Sequence, residues 1–192
     1  MSRPEMIDSR SVGAPERFRA LAELEQRLHA LPASPEDTGL VAMIVRRVDG
    51  GLRETPERAR FGCETGVPGD RWGERADRKP DGQIAVMQRD VAELIANEQP
   101  LTLFDDNLFL DLDLSARNLP IGSRLRIGGA ILEVTPKAHN GCHKFRARFG
   151  DDALRFVSKR ELRHRNLRGV YMRVLYDGDV AVGDTVEVIT RR

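Results

Sequence analysis

Cysteine is scarce in this chain of 192 residues, which holds only Cys63 and Cys142. Two cysteines do not make a disulfide framework, although a single bridge between them stays open at this stage. A chain of this length buries roughly 70% of its unfolded surface and needs no such staple. A reducing, cytoplasmic setting is therefore expected. Long apolar runs are missing too, and none approaches the ~20 residues of a membrane span. The opening "MSRPEMIDSRSVGAPERF" has no apolar core of the kind a signal peptide carries. Charge of one sign is also absent: charged residues make up 32% of the chain, yet the net charge is only +1. With both signs interspersed, no basic face is expected to form a nucleic-acid footprint. There are no internal repeats and no low-complexity tracts. Membrane and nucleic-acid partners are thus not expected, and one domain with an appendage fits the length.

What is present divides at about residue 40. Residues 1–14 are polar and aperiodic and read as a loose tail. In "PERFRALAELEQRLHALP", Phe18, Leu21, Leu24, Leu28 and Leu31 recur at spacings of three and four. This predicts an amphipathic helix with Pro15 in its first turn and Pro32 ending it. "PASPEDTG" follows as a linker, so residues 1–39 form a tail, helix and linker ahead of a domain over 40–192. From there the texture is strand-like. "LVAMIVRRV" (40–48) and "QIAVMQ" (83–88) are strand candidates, and the Gly-, Pro- and charge-rich stretch between them reads as a long functional loop. "DVAELIAN" (90–97) reads as a short helix with Asp90 as its cap. "SRLRIGGAILEVT" (123–135) alternates and turns at Gly128-Gly129, predicting a β-hairpin. Residues 145–159 suggest one helix that carries Phe149, Leu154 and Val157 to the core. "GVYMRVLYDGDVAVGDTVEVIT" (169–190) is β-rich, with turns at Asp177-Gly178 and Gly183-Asp184. The fold class that results is mainly β (α+β), a closed or half-closed barrel with a few peripheral helices and the N-terminal helix packed outside.

The hairpin's second strand leads into "HNGCHKF" (139–145), where half of the four histidines flank Cys142. His139, His143, Lys144, Arg146 and Arg148 all lie within six positions of the sulfur, with no acid between. Such cations favour the thiolate, the form of cysteine that attacks and ligates. Gly141 allows a sharp bend or close approach of a ligand. Four readings of Cys142 remain open on these residues: a nucleophile, a metal ligand, a sulfur carrier, or an inert small hydrophobe. A zinc site would have to recruit Cys63 and His164 as well, at a spacing unlike the usual four-ligand patterns. A Cys-His protease lacks its local signature. Cys63, in "RFGCETGVPGD", reads as a loop residue whose neighbours Glu54 and Glu64 oppose a thiolate.

Three separated stretches resemble one family. "GVPGDRWG" (66–73), "FDDNLFLDLDLSARNLPIGSRLRIGGAILEVT" (104–135) and "HNGCHKF" look like the MOSC domain, named for the C-terminal domain of molybdenum-cofactor sulfurases. "LRGVYMRVLYDGDVAVGDTVEV" (167–188) is similar to that family's closing strands. The resemblance runs over residues 40–190 and implies a β-barrel around a cleft with the cysteine at its mouth. It implies further that Cys142 either carries persulfide sulfur or ligates the metal of a bound molybdenum cofactor (molybdopterin). The first role calls for a cysteine desulfurase as partner, which itself holds pyridoxal phosphate. The second calls for an external electron donor, since the chain has no ferredoxin-like cysteine set. Sulfur transferase and molybdenum-dependent oxidoreductase are the corresponding activities, with N-hydroxylated compounds as substrates of the second. A non-catalytic module that uses the same cleft for a small anion or a protein partner is the alternative. The positions matched to the family place Cys142, His143 and Lys144 at the reacting centre. His139, Asn140, Asp70, Arg71, Asn107, Arg146 and Arg168 are then expected to bind the cofactor. Asp70, Arg71 and Asn107 should lie near Cys142, and Lys144, Arg146 and Arg71 should meet a phosphate. Two departures stand out: Asp106-Asn107-Leu108 replaces the commoner Glu-Asn-Leu, and Gly141 replaces a frequent proline. The second β-rich domain of amidoxime-reducing members has no counterpart in these residues.

Overall fold

The computed structural model describes residues 12–191. Eleven strands form in chain order: β1 (Thr38–Ile44), β2 (Arg46–Arg47), β3 (Arg53–Glu54), β4 (Arg58–Phe61), β5 (Ile84–Gln88), β6 (Leu108–Leu110), β7 (Arg124–Ile127), β8 (Ala130–Val134), β9 (Val170–Tyr176), β10 (Gly178–Ala181) and β11 (Thr185–Thr190). Seven of them close a barrel in the order β1-β11-β7-β8-β9-β5-β6, with β6 returning to β1. Every neighbouring pair is antiparallel except β5 and β6. Two small ribbons, β2–β3 and β4–β10, stand beside the barrel.

The alternation of side chains along a strand explains how the barrel is covered on one flank. Leu108 and Leu110 of β6 join the barrel's interior cluster, together with Val41, Ile84, Leu125, Leu132 and Met172. Phe109, between them, faces the opposite way into a second cluster with Phe104, Phe145, Phe149 and Phe156. In β5, Ile84 and Val86 go inward and Met87 goes outward in the same manner. That second cluster is roofed by α1 (Leu21–Ala30), α3 (Arg89–Ala96), α4 (His143–Phe149) and α5 (Asp151–Ser158). The mainly β barrel with peripheral helices expected from the sequence is the architecture seen.

Several local expectations need correction. Residues 15–30 are not one helix: Pro15–Arg17 is a 3₁₀ turn, Phe18 to Ala20 are extended, and only Leu21–Ala30 is α-helical. Of the expected tail, residues 1–11 lie outside the described residues. Gly13 and Ala14 are tied down, since their backbone N–H groups donate to Ala147 O and Gln99 Oε1. The stretch from 51 to 83 is not structureless, because it holds β3, β4, the short helix α2 (Arg71–Glu74) and a 3₁₀ turn at Pro80–Gly82. Asp90 sits inside α3, where its carboxylate accepts from the Val91 N–H and the Ser34 hydroxyl, and Gln88 is the cap residue. The expected helix over 145–159 is two helices broken at Gly150. Its φ of +90° suits glycine, and an added Cβ would come within 2.8 Å of the Phe18 ring. Asp177-Gly178 is no separate turn beyond the strand ends, because Gly178 already pairs with Phe61 in the β4–β10 ribbon.

Candidate functional site

The C-terminal ends of β1 and β8 and the N-terminal ends of β6 and β9 meet at one end of the barrel. The registers that set this are Ile44 opposite Leu108, Val134 opposite Met172, and Val86 opposite both Leu108 and Val170. The segments leaving those ends carry a dense set of charged side chains. Arg47, just past β1, clasps Asp70 with two bonds, Nε to Oδ2 at 2.9 Å and Nη2 to Oδ1 at 2.6 Å. Asn107 joins them, donating from Nδ2 to Asp70 Oδ2 at 3.0 Å and accepting from Arg47 Nη2 at 3.1 Å. Asp70 also caps α2 by accepting from the Trp72 N–H at 2.9 Å. Burial alone would raise the Asp70 carboxyl, but the Arg47 hydrogen bond and charge outweigh it and hold it below the usual carboxylate range.

A second group lies next to the first. Arg168 donates through Nη1 to Asp106 Oδ2 at 2.5 Å and through Nη2 to Phe104 O at 2.7 Å. Asp106 is completely buried, which pushes its carboxyl from 3.8 up to about 6 despite the guanidinium beside it. His139 stands with Nε2 3.5 Å from Asp106 Oδ1, and its ring stacks on Tyr171 at 4.4 Å. Burial first, then the charges of Arg168, Arg47 and Lys137, lower His139 well below an ordinary histidine. It is therefore a neutral imidazole at physiological pH. The Lys137 ammonium lies 4.6 Å from the centroid of the same Tyr171 ring.

Beside this group opens a cavity of about 540 Å³. Lys137, His139, Asn140, Arg163 and Arg168 line it, and no carboxylate does. Two buried nitrogens in that wall, His139 Nδ1 and Arg168 Nε, have no hydrogen-bond partner. Leaving such groups unmet costs about 1–3 kcal/mol each, so the wall holds bonding capacity that the protein itself does not use.

His139 and Asn140 bring the cysteine loop to the cavity wall, while Cys142 itself does not line it. Cys142 is exposed and free, and it occupies the N-cap position of α4 rather than a strand end. His143 and Lys144 are exposed in the first turn. Arg146 is exposed and paired with Asp151 at 2.6 Å, while Arg71 is exposed on α2. Neither Arg71, Lys144 nor Arg146 lines the cavity. The structure thus joins Asp70 to Asn107 directly, and His139 to Arg168 through Asp106. The two groups are neighbours, since Arg47 acts on both His139 and Asp106. Among the described residues, no three His, Cys, Asp or Glu side chains gather to hold a metal ion. A metal on Cys142 would have to bring its other ligands with it.

Lys137, Arg163, Arg47 and Tyr171 escaped the reading of the sequence. Arg47 sits in an ordinary strand run and Arg163 in a charged turn, so nothing local marks them. Lys137 could have been found by its place between Pro136 and the cysteine loop. Cys63 is exposed in a bend, and its thiol is raised by burial and by a hydrogen bond to Asp177. Glu54, expected to oppose it, is instead bound by Arg46.

Nine chains of solved structures match the fold. One, described only as a hypothetical protein, has a TM-score of 0.60 at 20% identity over 81% of this chain and 70% of that one. The YuaD protein from Bacillus subtilis has a TM-score of 0.59 at 17% identity, over 79% of this chain and 95% of YuaD. YiiM from Escherichia coli has a TM-score of 0.51 at 21% identity, over 78% of this chain and 70% of YiiM. At these identities the likeness is one of fold. No curated protein sequence matches the chain. The family model described as the MOSC domain matches residues 69–187. That span holds Asp70, the Asp106-Asn107 pair, the cysteine loop and Arg168, so the chain belongs to the MOSC domain family.

Proposed function

We propose that this MOSC protein holds the molybdenum cofactor at the basic end of its barrel, with Cys142 as sulfur ligand to the metal. The observation that carries this reading is the cavity beside the cysteine loop, lined by Lys137, Arg163, Arg168 and His139 and by no acid. A phosphate-bearing ligand fits such a wall through charge-assisted hydrogen bonds. The unmet nitrogens of His139 and Arg168 fit a ligand that brings further polar groups. Cys142 supplies a soft sulfur of the kind a metal centre takes. The bound cofactor would contribute redox chemistry toward N-hydroxylated compounds, with electrons from an external donor. The chain's own part is to bind the anion, orient it, and present the sulfur. The phosphate contact expected from Lys144, Arg146 and Arg71 passes in this reading to Lys137 and Arg163.

A second reading rests on the exposure of Cys142. A sulfur carrier must offer its thiol to the active site of a partner desulfurase, where pyridoxal phosphate does the chemistry, and an exposed helix cap serves that purpose. Persulfide transfer and metal ligation then share one residue. A binding module without catalysis would use the same cavity and leave Cys142 idle.

The test is loading. Protein made in a cofactor-producing host is assayed for molybdenum and pterin, and separately for persulfide by mass spectrometry after incubation with a cysteine desulfurase. Cys142→Ser should lose the metal or the persulfide, Cys63→Ser should lose neither, and Lys137→Ala/Arg163→Ala should lose pterin. Equal loading of wild type and Cys142→Ser overturns the proposal.

A further inference from the structure

A second cavity, of about 300 Å³, borders the first, and the two share Lys137. Its lining includes Trp72, Arg75, Arg78 and Lys79, all from the segment that begins at α2. Two acids also line it, and both are engaged. Asp77 accepts from Arg75 at 3.2 Å, and Asp81 lies 3.6 Å from Arg173. Arg78 reaches the Arg75 carbonyl at 3.3 Å and lies 5.8 Å from the Trp72 ring centroid. Neither Arg78 nor Lys79 makes an ion pair among the described residues, and neither does Lys137. Unpaired cations are therefore arranged on both sides of one shared lysine.

The shared residue is held in place rather than dangling. Its ammonium sits over Tyr171, and a Cβ added at Gly82 would come within 2.2 Å of it. The Lys137 side chain thus runs close over the Gly82 backbone, where a larger residue would displace its ammonium. Trp72, in the wall of the second cavity, is tied to the segment that follows β1. Asp70 holds the Trp72 N–H with one oxygen and the Arg47 backbone N–H with the other.

We infer that the two cavities form one elongated anion site, with Lys137 as the cation common to both. The ligand class is a molecule whose phosphate in the first cavity is extended by a second anionic group, as in a diphosphate ester or a short polyphosphate. The inference rests on the reading that the first cavity takes a phosphate. A monophosphate would engage Lys137 and Arg163 only, and the extension would add Arg78 and Lys79.

Calorimetric titration of the full chain with inorganic phosphate, pyrophosphate and tripolyphosphate tests this. Affinity should rise about tenfold or more from phosphate to tripolyphosphate, the scale of one or two added charge-assisted contacts. Arg78→Ala/Lys79→Ala should remove most of that rise and leave phosphate binding unchanged, while Lys137→Ala should weaken every probe. Arg27→Ala/Arg126→Ala, which removes two exposed charges that line neither cavity, should change nothing and so controls for net charge. A rise that survives in Arg78→Ala/Lys79→Ala, or is equally lost in the control variant, overturns the inference. Phosphate binding that depends on Lys137 and Arg163 without any rise sinks the elongated site alone. No phosphate binding at all sinks both this site and the proposed function.

Discussion

Cys63 and Cys142 are both free and both exposed, yet they sit in opposite surroundings. Cys63 shares its bend with Asp177, whose carboxylate takes the Cys63 backbone N–H at 2.9 Å and bonds the thiol too. Cys142 has His143, Lys144 and Arg146 in the turn it opens, and its loop also carries His139 of the His139–Asp106–Arg168 group. Exposure therefore does not distinguish the two thiols. The difference lies in their neighbours: Asp177 and Glu64 act on the Cys63 thiol, whereas the loop that carries Cys142 also sends His139 and Asn140 into the wall of a basic cavity.

The largest effect should come from breaking that network. Arg168→Met leaves Asp106 buried without its cation, and breaking a buried pair this way costs about 3–5 kcal/mol. For a chain of this size that lowers the melting temperature by something on the order of 10 °C. Removing both partners, in Arg168→Met/Asp106→Leu, should recover most of the loss because no charge is then stranded. The check is thermal unfolding of the two variants. A double variant no more stable than the single one would show that the network is not acting as a pair. No counterpart exists at Cys63, where Asp177→Asn should leave the melting temperature nearly unchanged.

Next in size is a dependence on pH that the intact group conceals. Asp106 is raised in the folded state from 3.8 to about 6, so its contribution is fully present below the lower value and lost as pH rises through about 6. His139 is lowered from 6.5, so its contribution is present above 6.5 and lost as pH falls. Between pH 7 and 5 the two trends oppose each other. Relative to wild type, His139→Gln should gain on acidification and Asp106→Asn should lose, each by on the order of 1–2 kcal/mol. Carboxylates lowered elsewhere, such as Asp105 and Glu133, are common to all three proteins and cancel in the comparison. Urea unfolding at both pH values measures this, and parallel pH trends in all three proteins would count against it.

These two predictions turn on residues that the sequence marked, His139, Arg168 and the Asp106-Asn107 pair, but whose burial and pairing it did not show. The hairpin around Gly128-Gly129 was legible because its pattern is local: alternating Leu125 and Ile127, a glycine pair, then Ala130 to Val134. The cysteine loop was legible because its residues are contiguous. Closure of the barrel by β1 and β6 was not, since it joins Ile44 to Leu108 across a long separation. Ribbons of two residues, such as β2–β3, carry no periodicity at all. Arg53 illustrates the same limit. As a charged residue between Leu52 and Glu54 it reads as solvated, yet it is buried to 1% exposure and bound to Asp105 and two carbonyls. Burial of a charge depends on its partner, and the carboxylate that Arg53 meets, Asp105, lies 52 positions away in the chain.

A smaller effect should sharpen the contrast from the Cys63 side. Asp177→Asn removes the carboxylate that bonds the thiol, while burial, the larger cause of its raised value, stays in place. Labelling of Cys63 by a neutral maleimide at pH 7 should therefore rise only a few-fold. Cys142, labelled in the same sample, should not change and serves as the internal reference. A rise at both sites would point to loosening of the fold rather than to the local charge.

The smallest effect concerns the exposed cations around Cys142. Lys144 and Arg146 face solvent, and Arg146 is already paired with Asp151, so Lys144 is the freer charge. An exposed charge attracts an anionic reagent, and that attraction fades once salt shortens the screening length to a few ångströms. Reaction of Cys142 with an anionic aromatic disulfide should slow by about twofold in Lys144→Gln at low salt. The difference should vanish near 1 M salt, where the screening length is about 3 Å. The Cys63 rate supplies the comparison, since its local charge comes from Asp177 and it should not respond to Lys144. A Lys144 effect that persists at high salt would mean that this side chain contacts the sulfur directly instead of steering reagents toward it.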